Sequence, residues 1–426
     1  MEKRSVLVFA YYFPPMGLSG VQRVTKFMKY LPEHGWHPHI ITTGPTAYYA
    51  HDPTLLEDIE GRDISVYRTS GTDPNSVASD QGTVKMPREW VRKLYRKVSD
   101  TLFIPDNKKG WAKQALELAR ELVTQHEFDA IFVSGPPFSA MMAAATLSEE
   151  TGIPLVVDYR DLWYGNQFHF YPTPWHAHQH KKLEHDVLTH ASRVTVTNRR
   201  MKEFLLANYR HLNHEEVMII PHGFDPEDIP QEHITPRRDG TFRLTYTGIF
   251  YDVVTPIPFF KAVRKALQTR PDLSIELHFA GILRDEYKKV AKKMGLEPLI
   301  IDHGYCAHAD SVRLLLESDA LWMMVGATRN ADTISSAKLY EYFGTRKPLL
   351  VSVPNGALRK DAERYGAAWI TDPSDIDAIA QCIIEMADAH RRGALPRPTE
   401  DIVQQYDRRA LTATLARQLA LSTRVL

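Results

Sequence analysis

Short apolar runs rich in β-branched and aromatic residues recur along the chain. Each is followed by a Gly- or Pro-containing turn and then by a stretch whose apolar positions return every three to four residues. "SVLVFAYYF" (5–13) reads as a strand, "GVQRVTKFMKYLPEHG" (20–35) as a helix and "WHPHIITTG" (36–44) as a second strand, so the chain opens on a βαβ unit. The rhythm returns in "FDAIFVSGPPFSAMMAAATLSEETGIPLVVDYRDLW" (128–163) and again from "TFRLTYTGI" (241–249) onward. Strands alternating with helices predict an α/β protein with doubly wound parallel sheets. A polar segment from Asp225 to Gly240 interrupts the pattern near the middle. The expected organisation is therefore two Rossmann-like domains facing a cleft, residues 1–223 and 224–400, with an amphipathic helix in 401–426 packing toward the first.

A length of 426 residues fits two or three hydrophobic cores better than one, and 43% apolar against 24% charged residues fits compact folding. Lys plus Arg equal Asp plus Glu at 52 each, so the chain lacks the basic field that nucleic acid selects. Cys306 and Cys382 are too few for a disulfide framework or a thiolate metal site, and reduced cytoplasmic cysteines are expected. The first residues, "MEKRSVLVFAYYFPP", read as a buried strand rather than a signal peptide, and no apolar run is long enough to span a membrane.

The stretch "DTISSAKLYEYFGTRKPLL" (332–350) carries the most chemistry. A helix beginning near Ser335 and Ser336 presents free N–H groups to an anion, with Lys338 as a point charge one turn in. Glu341 lies on the same face, and the alternative reading of this pair is an ordinary i,i+3 salt bridge on a capped helix. Asp158, Arg160, Asp161 and Trp163 follow an apolar strand directly, where ligand contacts gather in α/β sheets, and the pattern does not separate Asp158 from Asp161. Gly17 and Gly20 lie in a strand-to-helix loop open to close backbone approach. In "REWVRKLYRKVSD" (88–100), apolar residues at helical spacing are interleaved with Arg and Lys. That pattern suits peripheral contact with an anionic membrane through residues 88–98, or burial of the apolar side with a solvated basic face.

"KLYEYFGTRKPLL" resembles the most recognisable segment of the retaining GT-B glycosyltransferases of family 4, in which a helix bearing a Glu is followed by a Lys-Pro and a buried strand. The resemblance implies that Glu341 is the counterpart of the second Glu of the family's Glu-x7-Glu motif and grips a nucleotide ribose. Thr333 then stands where the first Glu belongs, with Asp332 beside it as the candidate substitute. Ile334, Ser335 and Ser336 keep the family's backbone contacts to a diphosphate. After Gly248 the family's basic pair is missing, Ile249 and Thr255 occupying its place, which leaves Lys338 and Arg329 as the basic candidates. "HGYCAH" resembles the base-binding segment, with Tyr305 and His308, and "IIPHGFD" resembles the family's segment at the end of the first domain.

The resemblance implies transfer of a sugar from a UDP- or GDP-sugar, with no further cofactor and no metal, to a glycan, lipid-linked or small-molecule hydroxyl. It sets that reaction in the cytoplasm or at the inner membrane face, in polysaccharide or glycolipid assembly. Asp161, Asp158, Lys338 and Asp332 are the catalytic candidates. A nucleotide-sugar epimerase and a silent sugar-nucleotide-binding protein are the alternatives. Neither a G-x-S-x-G elbow nor a P-loop is present.

Overall fold

A computed structural model describes residues 3–17, 19–44, 46, 50–69, 89–229 and 240–423. The chain divides into two compact units, Met1–Pro221 with Arg408–Leu426, and His222–Asp407.

The first unit runs β1 (Arg4–Phe9), α1 (Ser19–Tyr30), β2 (Trp36–Thr43), β3 (Ser65–Thr69), α2 (Glu89–Leu102), α3 (Lys109–Gln125), β4 (Ala130–Gly135), α4 (Phe138–Thr151) and β5 (Leu155–Tyr159). It continues through α5 (Pro174–His190), β6 (Ala191–Val196), α6 (Arg199–Asn208) and β7 (Val217–Ile219). Its seven strands, all parallel, are ordered β3-β2-β1-β4-β5-β6-β7. Alternate residues of the central strands go to opposite layers, Leu7 and Phe9 to one core and Val6 and Val8 to the other. Both faces are covered, which is why these strands read as continuous apolar runs.

The second unit runs β8 (Phe242–Ile249), α7 (Ile257–Thr269), β9 (Ile275–Ile282), α8 (Asp285–Lys293), β10 (Ile300–Gly304), α9 (His308–Leu316) and β11 (Ala320–Met324). It closes with α10 (Ala337–Thr345), β12 (Leu349–Ser352), α11 (Ala357–Tyr365), β13 (Ala368–Thr371), α12 (Ile376–Arg391) and α13 (Glu400–Gln404). Its six-stranded parallel sheet has the order β10-β9-β8-β11-β12-β13. Both sheets therefore reverse direction of growth beside their first strand, the switch point at which doubly wound sheets bind ligands past the strand C-termini. The doubly wound α/β expectation holds in each unit.

The last helix, α14 (Arg408–Ser422), belongs to the first unit. Leu411, Leu415, Ala416 and Leu419 enter the core built by Val6, Val8, Phe27, Phe132 and Val156. Of the polar segment read as a linker, residues 230–239 lie outside the described residues. Its start forms a short 3-10 turn, Pro226–Asp228, in the second unit, with the Asp225 carboxylate accepting from the Glu227 N–H at 3.0 Å.

Candidate functional site

In the second unit the site residues gather where β8 and β9 end and α10 begins. Gly248 and Gly281 are paired neighbours at the C-terminal ends of these strands. Both have positive φ, 113° and 132°, and a Cβ on Gly281 would stand 2.1 Å from the Gly248 carbonyl oxygen. Gly326, past β11, is equally crowded: its Cβ would meet the Val253 carbonyl oxygen at 2.5 Å. The strand ends thus form a lip of bare backbone beside the switch point. Gly281 and Gly326 were not singled out in the sequence, although the repeated "TGI" and "AGI" at two strand ends is a legible sign. Gly281→Ala is expected to cost about 2 kcal/mol or more, from strained φ and a backbone clash, measured as a lowered melting temperature.

Helix α10 stands over this lip. Ser336 is its N-cap, and its side chain makes no capping bond. The helix is riveted to β8 by the Thr247 N–H, which donates to the Tyr342 hydroxyl at 2.9 Å. At the other end of its first turns, the Tyr340 hydroxyl donates to Asp361 at 2.7 Å, and Tyr406 donates to the second oxygen of that carboxylate at 3.1 Å. Ser335 Oγ lies 3.5 Å from the same Tyr340 hydroxyl. These contacts fix where the start of α10 points.

Lys338 extends from the first turn so that its Nζ lies 3.5 Å from the Tyr246 ring centroid and 3.0 Å from where a Gly248 Cβ would be. A side chain at position 248 would occupy the place of the ammonium group. Lys338 makes no ion pair with Glu341, so the simple i,i+3 salt bridge is not formed. Burial lowers its pKa to about 7, with the Glu341 charge acting in the opposite direction. The result is a cation held on an aromatic face by a cation–π contact, in surroundings of low dielectric, with no carboxylate at ion-pair distance among the described residues.

Glu341 is about one-fifth exposed and has His308 Nδ1 at 3.5 Å from its carboxylate. His308, the first residue of α9, places its other ring nitrogen 3.0 Å from Asp228. The structure therefore brings Glu341 and His308 together, with the imidazole held between two carboxylates. Tyr305, three residues earlier, is exposed. Ile334 is buried, and Arg329 is exposed with no hydrogen bond or ion pair to Lys338 or Glu341. Thr333 is buried, and its hydroxyl donates to the Asn330 carbonyl at 2.8 Å. Its side chain is turned inward. Asp332 lies in the 3-10 turn Ala331–Thr333, its backbone so close to Gly356 that a Cβ there would meet the Asp332 Cα at 2.5 Å.

In the first unit the structure separates the two aspartates that the sequence left together. Asp158 is fully buried, and its carboxylate accepts from Arg23 Nε and Nη2 at 3.0 and 2.8 Å, from Ser134 Oγ at 2.7 Å and from Thr195 Oγ1 at 2.6 Å. Burial would raise its pKa, but the Arg23 charge and these hydrogen bonds outweigh it and hold the carboxyl below its usual range. Asp158 is corrected from a catalytic candidate to a positioning residue: all its acceptor capacity faces inward. Asp161, past the end of β5, is partly exposed and accepts no hydrogen bond from the described residues, and burial raises its pKa against the pull of Arg160.

Arg160 itself donates to the Gly20 and Pro136 carbonyls and lies over the Tyr12 ring. It ties together the loops after β1, β4 and β5. Gly20 is thus one of its anchors, and a Cβ at Gly20 would come within 3.2 Å of the guanidinium. Gly17 uses its N–H on the Ala50 carbonyl at 2.9 Å.

Residues 20–223 match the model of the glycosyl transferase 4-like domain. A comparison with curated proteins finds no match. Among solved structures, a glycosyltransferase from Rickettsia africae superposes with a TM-score of 0.63 at 15% identity, covering 100% of this chain and 99% of the other. HepE of Anabaena, solved in complex with UDP-glucose, gives 0.60 at 15% identity, with coverage of 99% and 100%. A UDP-forming trehalose-phosphate synthase from Burkholderia xenovorans, in complex with glucose-6-phosphate, gives 0.65 at 13% identity, with coverage of 98% and 100%. Residues 20–223 thus resemble a glycosyl transferase 4-like domain, and the chain as a whole shares the fold of these solved structures.

Proposed function

We propose that the protein is a retaining glycosyltransferase that moves a sugar from a nucleoside-diphosphate sugar to an acceptor hydroxyl in polysaccharide or glycolipid assembly. The observation that carries this reading is the uncompensated Lys338 ammonium at the start of α10, set against the bare backbone of Gly248. A diphosphate there receives the N–H groups of the helix end, the positive end of its dipole and one point charge. Glu341, on the same face, takes the ribose hydroxyls, and His308 fixes the direction of its carboxylate. Tyr305 offers an exposed ring to the base.

As the bond from the anomeric carbon to the diphosphate breaks, negative charge grows on the leaving oxygens, and Lys338 with the helix end stabilises it. This supply of positive charge is why the proposal includes no catalytic metal. The departing diphosphate accepts the proton of the incoming hydroxyl on the face it leaves, which gives retention. Asp161 and the loop of Gly17 and Gly20 are assigned to the acceptor, and Asp332 to the donor sugar.

The test is a thermal-shift panel of UDP-, GDP-, ADP- and dTDP-sugars, since a ligand that binds only the folded state raises the melting temperature. One of the four is expected to stabilise the protein, and Glu341→Ala to remove that shift and at least about tenfold of donor turnover. Appearance of a glycoside with unchanged anomeric configuration supports transfer. An epimeric nucleotide-sugar formed without acceptor identifies an epimerase, and binding without turnover a silent binding protein.

A further inference from the structure

Helix α2 is mounted with its apolar side outward. Trp90, Leu94, Tyr95, Val98 and Leu102 fall on one face at helical spacing, and they are between 48% and 69% exposed. None of the helix's 14 residues is buried. The opposite, polar face is the one engaged with the protein. Asp100 accepts from the Phe170 N–H at 3.0 Å, and the Thr101 carbonyl lies 3.3 Å from His176 Nε2. This corrects the alternative in which the apolar side is buried and a basic face solvated. Arg88 lies outside the described residues.

The apolar surface does not stop at the helix. Phe103 continues it, and the segment that anchors the helix adds Phe170 and Trp175, which are 37% and 58% exposed. Soluble proteins rarely leave a contiguous apolar face of this extent in water without a use for it. Lys93 and Lys97 border the stripe one turn apart, beside Trp90, and Lys97 Nζ lies 5.4 Å from the Phe170 ring. Of the acids of the helix, Asp100 is turned to the segment that anchors it, and Glu89 pairs within the helix with Arg92 and lies 3.7 Å from Lys93.

We propose that this face, α2 with Phe103, Phe170 and Trp175, docks on an anionic phospholipid surface. The helix lies in the interface, its aromatic and aliphatic side chains entering the headgroup boundary while Lys93 and Lys97 reach lipid phosphates. A length of about 21 Å at 1.5 Å per residue suits lying in the plane. Among the described residues no helix is long and apolar enough to cross a membrane, so the contact is interfacial. A second copy is the poorer occupant, because pairing this face with itself brings two lysine rows together, and Glu89, 3.7 Å from Lys93, offsets them only in part. Resting on the glycosyltransferase reading, the consequence is that the acceptor hydroxyl belongs to a membrane-borne molecule.

The test uses the full chain with two kinds of vesicle, phosphatidylcholine alone and phosphatidylcholine with phosphatidylglycerol in equal parts. Co-sedimentation is expected with the anionic vesicles and to weaken at high salt. Lys93→Glu with Lys97→Glu, and separately Leu94→Glu with Val98→Glu, are expected to lower that binding at least about tenfold. These side chains are exposed, so the melting temperature and donor-nucleotide binding stay at parental values. Equal binding to neutral vesicles, no binding to either, or indifference to both double variants overturns the proposal. So does a dimer in sedimentation analysis that Leu94→Glu disperses, which assigns the face to a second copy. Loss of vesicle binding alone leaves the donor-site reading intact, and failure to bind any nucleotide leaves the membrane face intact.

Discussion

Asp158→Ala is expected to lower the stability of the first unit by about 3–5 kcal/mol, the usual cost of stranding one member of a buried ion pair. Arg23 and Asp158 are each 1% exposed, and the guanidinium also donates to the Ile220 and Pro221 carbonyls at 2.9 Å. Without the carboxylate, a buried cation keeps only two neutral acceptors, and Ser134 and Thr195 lose theirs. Set against a typical total of about 5–15 kcal/mol, the loss is severe. Calorimetry should show the first unit melting roughly 10 °C lower.

Asp158→Leu with Arg23→Met should recover a large part of the loss, since apolar replacement of both partners removes the stranded charge. The pH dependence has a definite sign. The carboxyl's folded pKa is depressed, so its contribution is complete above the unfolded value near 3.8 and disappears as pH falls through the folded one. A variant that melts with the parent would show that the pair does not hold the unit together.

Lys338→Met is expected to weaken nucleotide-sugar binding about 10- to 100-fold near pH 6, the range for a charge-assisted contact. In the free protein the Lys338 pKa is near 7, and a bound diphosphate raises it. Affinity should therefore be highest below pH 7. Above it, affinity should fall by up to about tenfold per unit until the pKa of the complex is reached. The gap between parent and Lys338→Met should close over the same interval, while a Lys338→Arg variant that still binds should lose the pH dependence. The phosphates of a nucleotide-sugar do not titrate in this range, so calorimetric titration from pH 6 to 9 isolates the lysine. A pH-independent affinity would remove Lys338 from the diphosphate site.

How far the sequence discloses these features depends on the range of the interaction. The alternation of strands and helices is local, and it gave both sheets. The break near the middle and the helix after Ser336 were legible for the same reason. The separation of Asp158 from Asp161 was not, because what buries Asp158 is Arg23, on a helix 135 residues earlier in the chain. Lys338 was legible as a basic residue on the first turn. Its lowered pKa was not, since it comes from burial by residues distant in the chain, among them Tyr246 on β8. The two-sided pattern of α2 was plain in the sequence, but periodicity does not say which side faces inward. Asp100 and its bond to the Phe170 N–H decide that here.

The membership of α14 in the first unit has a consequence for biosynthesis. The second unit is, in chain order, an insertion within the first, whose inner packing needs Leu411, Leu415 and Leu419 from the far end of the polypeptide. At roughly 5–20 residues per second, a ribosome that has released Pro221 needs on the order of ten to forty seconds more to deliver that helix. Through this interval the nascent domain waits with an uncovered apolar seam, a ready target for a holding chaperone, while the inserted domain has all its own strands and can mature first.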